Sequence, residues 1–416
     1  MSLQSPARPA SLRALLRQRN YCLFLTGDFV SLLGNWTQRI AIGWLTWQLT
    51  ESTTWLGIIA FADLFPSLVL SPFGGVIADR GEPRRICFNT QSVAMLHAIT
   101  LFVCSATGLL NIWLLVVLVA LRGSIAAMNQ PARFALVPSL IPRDLLSIAM
   151  ATNAVCFNLA RFVGPAIAGL VIVRFGVSGA FAVNAISYVA LLIALGMLDV
   201  APVKREARAK QSMGIQILAG YQYVSRHAGV GPVLLLFAIG SLLVRPLTEM
   251  LPGFADGVFK QGAAGLAWLT SAMGIGATLG GVLMVRRNRI DQVLQATNIS
   301  LAVMAVAVLL FAVAPSFWLA IALTVTAGCA ISVNGIGTQT LTQSAVDDAM
   351  RGRVMSLYGM LFRAGPAVGA VVIGVIGDHI GLAWPTAAGA VICGGVWIWS
   401  IRKRAAIKAA LMPRQE

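Results

Sequence analysis

Eight ionisable side chains fall inside stretches of sequence that are otherwise apolar: Asp28, Arg39, Asp63, Arg122, Arg161, Arg245, Glu249 and Arg363. A charge at the centre of a hydrocarbon layer costs about 3 kcal/mol on insertion scales, so charges kept there mark ion pairs, proton sites or solute contacts. A carboxyl that exchanges an arginine partner for isolation changes its proton affinity, because burial raises its pKa and a nearby cation lowers it. Asp28, Asp63 and Glu249 have the chemistry for this role. Arg39, Arg161, Arg245 and Arg363 are the charges that could partner them around a cavity.

Spacing narrows the pairings. Arg39 lies about eight residues, roughly 12 Å, inside one end of its apolar stretch, and Asp63 about nine residues inside the facing end of the next. The two are at similar depth, so neighbouring antiparallel helices would pair them. Arg245 and Glu249 are four residues apart and share a helix face, which allows them to pair with each other. Asp28 has no arginine at helical spacing in its own stretch and is therefore the freest to titrate. Asp28 and Asp63 are preferred over Glu249 as proton carrier; a static ion pair holding helices together is the alternative for each.

These side chains need long apolar elements to carry them. Of 416 residues, 58% are hydrophobic and 11% charged, a balance no soluble core requires. Apolar stretches run over 21–47, 54–78, 86–108, 112–130, 145–173, 178–198, 232–254, 264–285, 292–313, 317–338, 354–376 and 383–401. Each is long enough for a helix to cross a bilayer. The reading is an all-α membrane protein of twelve transmembrane helices.

The formal charge of +16 would suit a nucleic-acid partner if it formed a patch. Its placement argues otherwise. With both termini in the cytoplasm, 24 of the 31 Lys and Arg fall in the tails and inner loops, as expected when basic flanks resist translocation. Trp44, Trp47, Trp55, Trp113, Trp318 and Trp384 sit at span ends on the opposite face, where the indole ring favours the headgroup level. The basic residues therefore orient the chain, and no nucleic-acid partner is expected.

A polar, basic break at 199–230 divides the spans six and six. The expected organisation is a cytoplasmic tail at 1–20, a six-helix bundle at 21–198, a cytoplasmic linker at 199–230, a second bundle at 231–401 and a tail at 402–416. Ile215, Leu218, Ala219 and Gln222 have the spacing of a short amphipathic helix in the linker. The first 20 residues lack the short apolar core and cleavage site of a signal peptide. An internal repeat supports the two halves: Gly164-Pro165-Ala166 of the fifth span matches Gly365-Pro366-Ala367 of the eleventh. Gly and Pro allow close packing and local bending in a membrane helix.

The run GGVIADRGEPRRI at 74–86 resembles the loop signature between spans two and three of the major facilitator superfamily. The resemblance covers essentially the whole chain. It assigns Gly75, Asp79, Arg80, Arg84 and Arg85 to a cytoplasmic gate, although Glu82 stands where the family usually has a glycine. Arg122 occupies the arginine of the span-four motif, which implies a part in proton coupling, with Ala126 replacing a glycine. Gly164, Pro165 and Gly169 resemble the fifth-span antiporter motif, with Ala160 and Ala168 replacing two glycines.

The runs GNWTQRIAIGWLTWQLTEST, NQPARFALVPSLIPRDLL and RGRVMSLYGMLFRAGPAVGA are similar to the branch of enterobactin-type siderophore exporters and macrolide efflux pumps. The resemblance implies two pseudo-symmetric bundles and proton-coupled export of a small amphipathic organic solute by alternating access. The implied setting is the bacterial inner membrane, with the bilayer, protons and a small molecule as partners. A proton-coupled importer or a lipid flippase on the same fold is the alternative.

Other signals are weaker. GIGATLGG at 274–281 lies within a span with no strand before it, so helix packing explains it better than a dinucleotide site. His97, His227 and His379 share no ligand spacing, and the six cysteines are scattered singly; no metal is expected. No Walker loop or catalytic triad motif is present, so the chain reads as no enzyme; no cofactor is expected, the resemblance implies the proton gradient as energy source, and a monomer is expected. Trp36, Trp268 and Phe362 are candidate cavity-lining residues.

Overall fold

A computed structural model describes residues 11–199, 213–287 and 289–411. The helices are α1 (Leu12–Leu15), α2 (Arg19–Thr50), α3 (Thr53–Arg80), α4 (Pro83–Ala106), α5 (Ile112–Leu136), α6 (Leu146–Gly196), α7 (Met213–Arg226), α8 (Val230–Leu243) and α9 (Leu247–Pro252). There follow α10 (Gly262–Val285), α11 (Ile290–Ala312), α12 (Phe317–Ala345), α13 (Asp348–Ile380), α14 (Ala383–Arg402) and α15 (Arg404–Leu411). No strand occurs among the described residues.

By length and composition, 10 helical segments among the described residues can cross a membrane. One of them, Arg143–Gly196, has 54 residues, roughly twice what a bilayer needs. Within it Gly176 stands at φ 71°, ψ −177°. Glycine has no Cβ to forbid that conformation, so the chain turns on a single residue where the sequence suggests a short loop. Helix α2, which carries Asp28, Asn35, Gln38 and Arg39, is 32 residues long and stands outside the ten. The count is consistent with twelve spans.

The seventh stretch also departs from a continuous helix. α8 stops at Leu243, residues 244–246 form a turn, and α9 gives way to a π-helical segment at Gly253–Val258. Pro246 and Pro252 each lack the amide hydrogen that the helical ladder needs, and the proline ring clashes with the carbonyl four residues back. The break offsets the side chains on either side of it, which matters for Arg245 and Glu249.

Helix α2 lies along α6, α3 along α5, and α4 against α5 and α6; α10 lies along α12, α11 along α12 and α14, and α8 along α13. These sets form two bundles that meet on two seams, α3 with α13 and α6 with α10. Glycines bring the backbones together there. A Cβ on Gly57 would stand 2.5 Å from the Ala370 carbonyl oxygen, and one on Gly274 would stand 2.9 Å from Phe162 Cα. Small residues allow this approach where lipid offers no hydrophobic force between helices.

The segments outside the spans are partly docked. Leu15 is fully buried in a cluster with Tyr21, Leu145 and Ala149. Residues 200–212 of the expected linker lie outside the described residues, and Met213–Arg226 of it forms α7, whose Gly220 faces the Arg353 backbone of α13. In the expected C-terminal tail, α15 buries Ile407 and Leu411 against the second bundle.

Candidate functional site

Polar side chains on α2 set its rotation against α6. Asn184 donates to Gln38 at 2.6 Å, Tyr188 donates to Asn35 at 2.8 Å, and Thr37 donates to the Gly164 carbonyl at 3.3 Å. Amides and hydroxyls buried among apolar helices must find such partners. The same rotation presents Asp28, Trp36 and Arg39 to the interior, where two adjoining cavities of about 270 and 340 Å³ share Trp36, Arg39, Leu64, Phe157 and Arg363.

The first cavity lies between the bundles. Arg39 donates to Glu249 of α9 at 2.7 Å, which ties α2 to the opposite bundle. The other terminal nitrogen of Arg39 is 3.6 Å from Asp63 on α3. Asp63 in turn takes a direct hydrogen bond from Arg122 of α5. Depth matching in the sequence thus brings Arg39 and Asp63 together, but Arg122 is the nearer partner. The Asp63 side chain is 12% exposed, so its ion pairs are screened much less than surface ones.

Two sequence expectations need correction. Arg245 and Glu249 do not pair, because the turn at 244–246 interrupts the helical spacing that would align them. Arg245 instead donates to Ser241 at 3.3 Å and stands 4.1 Å from the Phe362 ring centroid. Asp28 is not free: Arg133, in the last turn of α5, hydrogen-bonds to its carboxylate. The apolar stretch ends near residue 130, so Arg133 read as a loop residue, but α5 continues to Leu136 and carries it back against α2.

The spare arginines lie around the first cavity. Arg161 and Arg39 flank the Trp36 ring, each 5.8 Å from its centroid. Arg161, Arg245 and Arg363 all line this cavity, and none has a carboxylate within ion-pair distance among the described residues. Phe362 lines it too, whereas Trp268 is 57% exposed and lines neither cavity. Trp268 is on the outward face of α10, which corrects its expected place.

At the end of the bundles expected outside, carboxylates of the second bundle grip the first. Asp378 accepts from the Thr53 amide at 2.6 Å, the Thr54 amide at 3.2 Å, and the hydroxyls of Ser52 and Thr53 at 2.5 and 2.8 Å. It sits near the C-terminus of its own helix, which disfavours an acid, and on the N-terminus of α3, which favours one. Trp47 donates to Asp256 at 2.9 Å beside it. Sequence reasoning passed over both acids; the signal was an aspartate in the last turn of an apolar helix, against the helix dipole.

The expected gate motif is arranged around α3 and α4. Arg84 donates to the carbonyls of Leu195 and Gly196 at 2.8 Å each, satisfying the end of α6. Arg85 pairs with Glu82 at 2.8 Å, and Arg80 is exposed in the last turn of α3. The side chain of Asp79 lies outside the described residues. Gly75 has open space around it, and it is Gly74 that packs on Ala127. Gly164 packs on Trp36, Gly169 on Ala267 and Gly365 on Ser241; Pro165 and Pro366 both lie inside helices.

Comparisons with known proteins agree with this architecture. The chain is 29% identical over 202 residues to the staphyloferrin A transporter of Staphylococcus aureus, covering 48% of this chain and half of that relative. It is 26% identical over 350 residues to the enterobactin exporter EntS of Escherichia coli O1:K1, covering 80% of this chain and 77% of the relative. The solved peptide transporter POT superposes with a TM-score of 0.73 at 12% identity, over 95% of both chains, which speaks to the fold alone. Residues 10–415 match the family described as transmembrane secretion effectors. The chain belongs to that family, within the major facilitator superfamily.

Proposed function

We propose that this protein exports a small organic solute of the siderophore type across the bacterial inner membrane, by alternating access of its two bundles and in exchange for protons. The observation that carries the reading is the Arg39 to Glu249 bond, which joins the bundles at the wall of the cavity. Asp63 stands 3.6 Å from the same arginine. When the bundles rock apart, Glu249 leaves Arg39, and Arg39 is free to move towards Asp63 or towards a solute. Each rearrangement changes how strongly the carboxyls hold a proton, which couples proton occupancy to the direction the cavity faces.

The enterobactin and staphyloferrin A named for the relatives are the first cargoes to test. Both termini are assigned to the cytoplasm, which places the Asp378 contacts on the far side. Inverted membrane vesicles containing the protein should accumulate labelled cargo when their lumen is acidified. Asp63→Asn should abolish gradient-driven accumulation and keep cargo exchange at zero gradient. Accumulation driven by the opposite gradient would make the protein an importer and overturn the reading.

A further inference from the structure

The charges that face the two cavities do not balance. Six arginines line them, at 39, 122, 133, 161, 245 and 363, against three acids, Asp28, Asp63 and Glu249. Each acid is matched to an arginine: Asp28 to Arg133, Asp63 to Arg122, and Glu249 to Arg39. The remainder, Arg161, Arg245 and Arg363, gives a formal excess of three positive charges, all on the cavity between the bundles.

Guanidinium groups kept away from bulk water without a counter-charge are costly. Here the cost is reduced by ring faces, which attract cations through their quadrupoles: Trp36 for Arg161, and Phe362 and Phe237 for Arg245. A ring neutralises no charge, so the cavity keeps its positive potential. The three arginines come from both bundles, on α6, in the turn before α9, and on α13.

We infer that the cavity takes a soluble polyanion, an aromatic or otherwise amphipathic solute bearing two or three carboxylate-like groups, and that Arg161, Arg245 and Arg363 bind those groups. The inference rests on this cavity being the solute path of the exporter proposed above. A guanidinium presents a planar fork of donors that suits a carboxylate in bidentate contact, while Trp36 and Phe362 offer apolar faces to the rest of the solute. Because the three groups belong to two bundles, one polyanion can bridge them and take over the joining role that Glu249 fills for Arg39. A cationic solute would meet three like charges in place of counter-ions.

The test uses full-length protein in neutral detergent with 1,3,5-benzenetricarboxylate as probe and the uncharged 1,3,5-benzenetricarboxamide as control. The tricarboxylate should raise the unfolding temperature saturably and the triamide should not. Arg161→Gln, Arg245→Gln and Arg363→Gln should each weaken the tricarboxylate about tenfold, the value of one charge-assisted contact, and Arg363→Lys, which keeps the charge and loses the fork, should bind between the parent and Arg363→Gln. Equal stabilisation by the triamide, or Gln variants that bind as the parent does, would overturn the inference. Phosphatidylglycerol added to the micelles separates a soluble anion from a lipid headgroup: displacement of the tricarboxylate by the lipid also overturns it. Binding in detergent needs no gradient and no direction, so it can succeed when the export assay fails, and the reverse.

Discussion

Asp28 and Asp63, on α2 and α3, are both bonded to arginines of α5 within their own bundle, Arg133 and Arg122. Glu249, Asp256 and Asp378, in the second bundle, are all bonded across to the first, to Arg39, to Trp47 and to residues 52–54. One set of acids holds a bundle's interior; the other set holds the bundles together. Removing an acid of the first set should damage a site, whereas removing one of the second should change which way the cavity faces. The difference follows from a general rule, that a contact shifts an equilibrium only if it differs between the two states.

The largest effect is expected at Glu249. Glu249→Gln removes the charge opposite a partly buried Arg39 and exchanges a charge-assisted bond for a weaker neutral one. The ratio of conformers should move roughly 10- to 100-fold away from the state described here. Spin labels at positions 109 and 313, both exposed and one on each bundle, would read this as a changed distance distribution. Asp28→Asn serves as the opposing measurement. It should impair transport while moving the distribution less than about twofold, since its contact to Arg133 lies within one bundle and a rigid-body movement of the two bundles leaves it in place. A large shift in the Asp28 variant would break the comparison.

Much of this was legible in the chain. The apolar runs located the helices, because a bilayer demands about 20 apolar residues per crossing whatever the tertiary packing. The charges inside those runs located the cavity wall, since only an interior surface can hold Arg39, Asp63 or Glu249. The partners were less legible. Arg133 stands beyond the apolar run and reads as part of a loop, and the four-residue spacing that allows Glu249 to pair with Arg245 holds only in an unbroken helix, which Pro246 interrupts. Asp378 was overlooked because its meaning depends on α3, whose N-terminus lies 325 residues away in the chain. Pairings across bundles have no local periodicity to betray them.

A smaller shift is expected at that far contact. Asp378→Asn keeps the shape of the side chain but loses the charge that the α3 terminus favours and one of the two oxygens now accepting hydrogen bonds. The residue is exposed, so solvent screens the charge and the conformer ratio should move only about fivefold. Thr53→Val, which removes a hydroxyl that also donates to the Gly374 carbonyl at 2.6 Å, should move it in the same direction. If both variants leave the label distances unchanged, the acids of the second bundle do not act as a set, and Glu249 alone joins the bundles.

The smallest effect sharpens the contrast on the arginine side. In the second bundle Arg245 lies 4.1 Å from the Phe362 centroid, while in the first Arg161 and Arg39 lie 5.8 Å from Trp36, near the distance at which the attraction fades. Arg245 is thus the better held, and its orientation should depend more on its ring. Phe362→Leu should weaken 1,3,5-benzenetricarboxylate about threefold, and Trp36→Leu less than twofold, with neither changing the label distances. The reverse order would mean that Trp36 positions the two arginines beside it despite the longer separation. In that case the anion is held from the first bundle, and the second contributes the conformational ties alone.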